Sequence, residues 1–145
     1  MNLTNVDIKN LKDKKFRAEH SLFLVEGDKF CRDLLSNGFE IIHTITTDNS
    51  LTGFPNISVV SSRMFDSLAS TKTPQTIICV CKVKECGVKS TGNSLILDNV
   101  QDPGNVGTLI RSAVAFGFYD IYFVNGANPY SEKVVRSSAG TILKA

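Results

Sequence analysis

Residues 94–125 alternate a short apolar run, a helical repeat and a second apolar run, and few folds accept that pattern. Leu95-Ile96-Leu97 has the composition of a compact buried strand, and residues 121–124 have that of another. Between them Val106, Leu109, Ile110, Ala113 and Gly117 recur at the i, i+3, i+4, i+7 spacing of a helix packed on a sheet. Phe116-Gly117-Phe118 ends that helix, and Asn125-Gly126 turns the chain. Strand, helix and strand, with both strands apolar throughout, make a βαβ unit. Such a unit implies a parallel sheet and a right-handed crossover. Two strands cannot cover both faces of a parallel sheet. The remaining residues, 125–145, read as a loop at Asn128-Pro129-Tyr130-Ser131 and a helix from Glu132. The expectation for this half is an incomplete α/β domain.

The first half has a different rhythm. Residues 6–18 carry Val6, Ile8, Leu11 and Phe16 among Lys9, Lys12, Lys14, Lys15 and Arg17, which predicts one helix with an apolar stripe and a basic face. Residues 22–25 form an apolar run ended by Glu26-Gly27, a buried strand with its stop. A helix follows over 28–35, with Phe30, Cys31, Leu34 and Leu35 at helical spacing and Asn37-Gly38 as terminator. Residues 41–47, 57–60 and 76–83 are rich in β-branched side chains and predict strands. A short helix over 62–70 is capped by Ser61 or Ser62. Residues 84–94 hold glycines, serines, Thr91 and Asn93 with little apolar content, the composition of a linker. The chain therefore divides into an α+β domain over 1–83, a linker over 84–94 and the α/β domain over 95–145.

Composition narrows the function classes. A chain of 145 residues with 42% hydrophobic and 21% charged residues suits a globular protein with a core. The net charge of +2 permits nucleic-acid binding without demanding it. No apolar run approaches the roughly 20 residues of a membrane helix. The first residues lack a signal-peptide core, so the expected location is cytoplasmic and no membrane partner is expected. Cys31, Cys79, Cys81 and Cys86 contain no Cys-x-x-Cys pair, and only His20 and His43 could join them. Buried free thiols fit this pattern better than a metal site, so no metal is expected.

The loop after the first strand of the second half carries the chemistry. It reads Asp98-Asn99-Val100-Gln101-Asp102-Pro103-Gly104-Asn105-Val106-Gly107, with Arg111 beyond it. Parallel sheets bind ligands at this end of their strands. Pro103-Gly104 predicts a tight turn, Asn105 a helix cap, and Gly107 a close approach to the first helical turn. Arg111 falls roughly 120° around the helix from the apolar stripe, open to a phosphate or a sugar. A solvated arginine on a well-capped helix fits the same residues. Gly104-x-x-Gly107 falls short of the dinucleotide fingerprint, and no Gly-Lys-Ser/Thr makes a phosphate loop.

Asp102-Pro103-Gly104-Asn105-Val106-Gly107, then Arg111 and Ala115-Phe116-Gly117, resemble the first signature motif of the SpoU/TrmH family of RNA ribose 2′-O-methyltransferases. Tyr130-Ser131-x-Lys133-Val134-Val135-Arg136-Ser137-Ser138-Ala139-Gly140 is similar to the stretch preceding that family's knot, with Gly140-Thr141 in place of Gly-Ala. Lys15-Phe16-Arg17, residues 22–27 and Thr73-Pro74-Gln75 resemble the ribosomal-protein-like RNA-binding domain often fused in front. The resemblance covers nearly the whole chain.

It implies an α/β fold of the SPOUT type and methyl transfer from S-adenosylmethionine to a ribose 2′-oxygen of RNA, ribosomal RNA by analogy of the first domain. Asn105 then orders the active-site loop. Arg111 meets the target ribose and its phosphate, where a fixed charge stabilises a developing oxyanion. A guanidinium holds its proton too tightly to act as a base, which speaks against proton removal. Arg17 and Lys15 become RNA contacts of the first domain, although a solvated helix face explains that charge run equally well. Lys133 and Arg136 become substrate contacts or plain surface charges, and Ser137, Ser138 and Gly140 shape backbone. The family holds its donor in a C-terminal knot with a Gly-Asn-Glu-Gly-like loop and a Ser-Leu-Asn-like motif, and neither occurs in this sequence. The expectation is a cofactor pocket beyond residue 145, an inactive chain at this length and a homodimer when complete. An RNA-binding module without catalysis is the alternative, and an unrelated Rossmann-type nucleotide binder a distant third.

Overall fold

The computed structural model describes residues 3–73, 75–84 and 92–145. It forms two compact units, Met1–Lys84 and Glu85–Ala145. The central part of the expected linker, residues 85–91, lies outside the described residues, as do Cys86 and Pro74. Lys84 ends the first unit, and Ser94 already opens a strand.

The first unit begins with two short helices where the hydrophobic spacing predicts one. Helix α1 spans Asn5–Asn10 and helix α2 Lys14–Glu19. Asp13 breaks the run: its carboxylate accepts from Lys15 N at 2.7 Å and starts a new helix. A carboxylate that caps a helix competes with continuing the previous one. Thr4 and Asp7 form a reciprocal capping box on α1, which holds the Asp7 carboxyl below its usual range. Strand β1 (Leu22–Glu26), helix α3 (Asp28–Ser36), strands β2 (Ile41–Thr46) and β3 (Ile57–Val59), helix α4 (Ser62–Leu68) and strand β4 (Ile77–Lys82) complete the unit.

Its sheet runs β1-β4-β2-β3. Strand β4 is antiparallel to β1 and β2, while β3 is parallel to β2. Because β4 has a neighbour on each side and helices over both faces, Ile77 to Cys81 are all buried. Ile78 and Val80 join Leu22, Leu24 and Ile45 in a core with Ile8, Leu11, Phe65 and Leu68. The pleat turns Cys79 and Cys81 to the opposite face. There Cys31 of α3 sits 3.4 Å from Val25 O. Cys31, Cys79 and Cys81 are buried and free. A hydrogen bond with Cys79 and burial push the Cys31 thiol far up, and burial does the same to Cys81, so neither is a reactive thiolate. Among the described residues no cluster could hold a metal, and no helix is long and apolar enough to cross a membrane.

The second unit is the expected α/β arrangement. Strand β5 (Ser94–Asp98), helix α5 (Pro103–Ala115) and strand β6 (Asp120–Val124) are followed by α6 (Glu132–Ser137) and a 3-10 turn at Thr141–Lys144. Strands β5 and β6 pair in parallel, with Leu95 opposite Ile121 and Leu97 opposite Phe123. Leu97, Val106, Ile110 and Ala113 are buried in this unit, as are Val134, Val135, Ile142 and Leu143. On the sheet, Ile96 remains 65% exposed and Val124 42% exposed.

Candidate functional site

The site is built on the first turns of α5. The helix begins at Pro103, so Pro103-Gly104 forms its opening and not a separate tight turn. Proline suits the first helical position, because its locked φ matches the helix and its missing N–H has no partner there anyway. The cap is Asp102, whose Oδ2 accepts from Asn105 N at 2.8 Å. Asn105 is therefore not the cap that sequence reasoning predicts. It stands inside the first turn with its side chain exposed. Asp102 wins because only the residue before Pro103 has the extended backbone a cap requires.

Gly107 permits a close approach, as expected, but the partner belongs to the protein. A Cβ there would lie 2.1 Å from Ser137 Oγ and 2.5 Å from the Ser137 backbone carbon. The same hydroxyl donates to Pro103 O at 2.6 Å. The end of α6 is thereby held against the first turn of α5. Ser138 is buried with its hydroxyl on Val135 O, and Gly140, at φ +77°, closes the helix by donating its N–H to Val135 O.

Arg111 is exposed on α5, two turns along from the cap. Asn105, Thr108 and Arg111 follow at i, i+3 and i+6, so they are successive neighbours along one exposed ridge about 9 Å long. Thr108 is the member that sequence reasoning missed, although its spacing from the other two was available. Its hydroxyl donates to Gly104 O at 3.0 Å. Lys133 and Arg136 are exposed on α6, three residues apart, while Val134 and Val135 between them are buried. Because Ser137 is anchored on Pro103, Arg136 lies on the part of α6 nearest the opening of α5.

In the first unit, Lys15 is exposed and lies 4.0 Å from Glu19. Arg17 is half-buried, and its guanidinium donates to Leu11 O, tying α2 to the end of α1. At least one of its N–H groups is thus used within the fold.

The loops after β5 and β6 bond to each other. Asn99 N donates to Val124 O at 2.8 Å, Ala127 N to Val100 O at 2.9 Å, and the Gln101 amide to Asn125 O. A Cβ at Gly126 would meet Val100 O at 2.8 Å. These polar groups satisfy one another and tie the two loops together.

The fold and this site define an α/β protein with a polar helix ridge at the carboxyl ends of parallel strands, the position where such sheets bind ligands. Residues 92–145 match the SpoU rRNA Methylase family, and residues 6–79 match the MRM3-like substrate binding domain. The chain is 32% identical, over 93% of its length, to the 23S rRNA (guanosine(2553)-2′-O)-methyltransferase RlmP of Bacillus subtilis (strain 168). It is 30% identical, over 89% of its length, to the mitochondrial rRNA methyltransferase 3 of Xenopus laevis. The AdoMet-bound rRNA methyltransferase from Sinorhizobium meliloti superposes on 99% of the chain with a TM-score of 0.79 at 26% identity. The chain spans 57% and 35% of the two relatives' lengths and 60% of that structure's. The chain belongs to the SpoU family of RNA methyltransferases, with an MRM3-like substrate-binding unit in front of its SpoU segment.

Proposed function

We propose that this chain serves 2′-O-ribose methylation of RNA, ribosomal RNA in particular, with S-adenosylmethionine as methyl donor. The observation that carries this is the exposed ridge of Asn105, Thr108 and Arg111 inside the segment that matches the SpoU family. The relatives named above are methyltransferases of ribosomal RNA, which supports the substrate class.

On this reading residues 1–83 grip the RNA, with Lys15 and Arg17 adding positive charge. Arg111 receives the target nucleotide. Its guanidinium binds the phosphate beside the target ribose and stabilises negative charge growing on the 2′-oxygen as that oxygen attacks. A guanidinium has no free lone pair to take a proton, so it orients the nucleophile and does not deprotonate it. Asn105 orders the opening of the ridge, and Lys133 and Arg136 add charge where the RNA backbone passes. The donor, when bound, supplies the electrophilic methyl. The loops after β5 and β6 spend their polar groups on each other, so no step through the donor rests on them. A homodimer is the assembly this reading expects of the enzyme. The same closed loops favour, for this chain in isolation, a second role as an RNA-binding module without catalysis.

Two measurements test this. Deleting the gene should erase one 2′-O-methyl mark when the ribosomal RNA of the source cells is mapped, and an unchanged map would overturn the enzymatic reading. Calorimetric titration of S-adenosylmethionine into the 145-residue chain should give no heat of binding. Stoichiometric binding would show that the pocket is complete within it.

A further inference from the structure

Two sequence fragments of the first unit, Glu26-Gly27 and Thr73-Pro74-Gln75, resemble the family's RNA-binding domain but have no role in the chemistry above. The fold brings Glu26 against Ser70 and Thr71, and Gly27 against Gln75. The half-buried Glu26 carboxylate accepts from Ser70 N at 2.9 Å, from the Ser70 hydroxyl and from the Thr71 hydroxyl, 45 positions along the chain. Gly27 has φ +105°, and a Cβ there would meet Gln75 Oε1 at 2.9 Å. The Thr46 hydroxyl donates to Thr76 O at 2.7 Å and fixes the far end of the same loop. These contacts hold Ser70, Thr71, Gln75 and Thr76 in place without a ligand, which lowers the cost of binding one.

The loop walls a cleft of about 640 Å³. Thr47, Thr73 and Thr76 line it, alongside Gln75 and the exposed Lys72, and so does Thr71, whose hydroxyl is already held by Glu26 and Thr73 O. Phe65 and Ala69 of the α4 region supply its apolar side, and Asp66 stands at the same wall. The volume suits a nucleotide-sized ligand. Hydroxyls and an amide can both donate to and accept from a base edge, a carboxylate can take a base amino group, and a lysine can pair with a phosphate. The chemistry is that of a splayed single-stranded nucleotide and not of a duplex backbone alone.

We propose that this cleft holds one unstacked nucleotide of the RNA substrate, read by the threonine hydroxyls and Gln75, with Lys72 on its phosphate and Glu26 as the positioning residue behind the loop. The proposal rests on the RNA reading above and assigns the subsite that anchors the substrate at a distance from the reacting ribose.

The test uses the 145-residue chain and a set of single-stranded pentaribonucleotides of mixed sequence, followed by nitrogen–proton chemical-shift mapping and fluorescence anisotropy. The shifts should concentrate on Glu26, Gly27 and residues 62–76. Lys72→Ala should weaken binding about tenfold and flatten the slope of log affinity against log salt by about 0.7, the loss of one phosphate contact to a single strand. Glu26→Gln should weaken binding by a similar factor with the slope unchanged, since it loosens the loop without removing a phosphate contact. Binding with shifts confined to the Lys9–Arg17 face or to α5 would overturn the cleft while leaving the RNA reading intact. No binding by any pentamer would also overturn the cleft, and the methylation map of the deletion strain would still judge the enzymatic reading on its own.

Discussion

Gly107 has no side chain because Ser137 stands where one would go, and that contact joins the two helices of the second unit. Gly107→Ala should destabilise the unit by about 3 kcal/mol, at the upper end of ordinary overpacking, because the nearest obstacle includes backbone. Adding Ser137→Ala should not rescue it, since the Ser137 backbone carbon remains 2.5 Å from the new methyl. Urea unfolding of the two variants checks this, and full rescue by the double variant would locate the clash in the hydroxyl alone. The cap gives a second residue-level test. Asp102→Ala should cost about 1 kcal/mol of stability, while Asn105→Ala should leave the unfolding midpoint unchanged, because the carboxylate of Asp102 does the capping. Equal losses would return the cap to Asn105, the residue that the helical repeat alone suggests. The apolar repeat marks where the buried stripe of α5 begins, at Val106, but the cap is set by local geometry before Pro103. That difference of three residues separates what periodicity reveals from what backbone geometry decides.

At the scale of elements, strands and the longer helices were legible because burial imposes its period on them. Strand β4 shows an unbroken apolar run since it is covered on both faces, and α3 shows its stripe since Cys31 and Leu34 are buried. The first helix was misread for the opposite reason. Ile8, Leu11 and Phe16 are spaced as if on one helix, yet they come from two helices and the turn between them that pack on the same sheet face. The break at Asp13 costs the pattern nothing, so hydrophobic spacing cannot reveal it. The exposed face of Lys9 to Arg17 was equally ambiguous, and the fold divides its members: Lys15 stays in solvent, while Arg17 bridges to Leu11 O. Arg17→Ala should therefore lower the stability of the first unit by about 1 kcal/mol, the worth of an intramolecular hydrogen bond. Lys15→Ala should leave stability alone, because its exposed pairing with Glu19 contributes little. Thermal unfolding followed by circular dichroism compares the two, and an unaffected Arg17→Ala would show that the junction holds without its guanidinium.

The two units differ in how completely their sheets are enclosed, and that difference governs where the molecule opens first. The first unit has a central strand with hydrogen-bonded neighbours on both sides and five consecutive buried residues. The second has, among the described residues, two strands only, so neither is central, and Ile96 and Val124 keep much of their surface in water. An apolar side chain left exposed contributes little of the roughly 25 cal/mol per Å² that burial would give. A two-stranded parallel pair also needs a packed face to persist at all, and here Leu97 of β5 is buried, as are Val106 and Ile110 of α5. Local opening follows the weakest enclosure, so amide hydrogens of β5 and β6 should exchange well before those of β4. Native-state hydrogen exchange read by mass spectrometry on peptides spanning 77–82, 94–98 and 120–124 measures this directly. Slow exchange in β5 and β6 matching that of β4 would mean that something covers the exposed side chains of the small sheet in solution. Fast exchange there, with β4 protected, would leave the Arg111 ridge on a unit that is ordered by its helix packing and loosely held at its sheet.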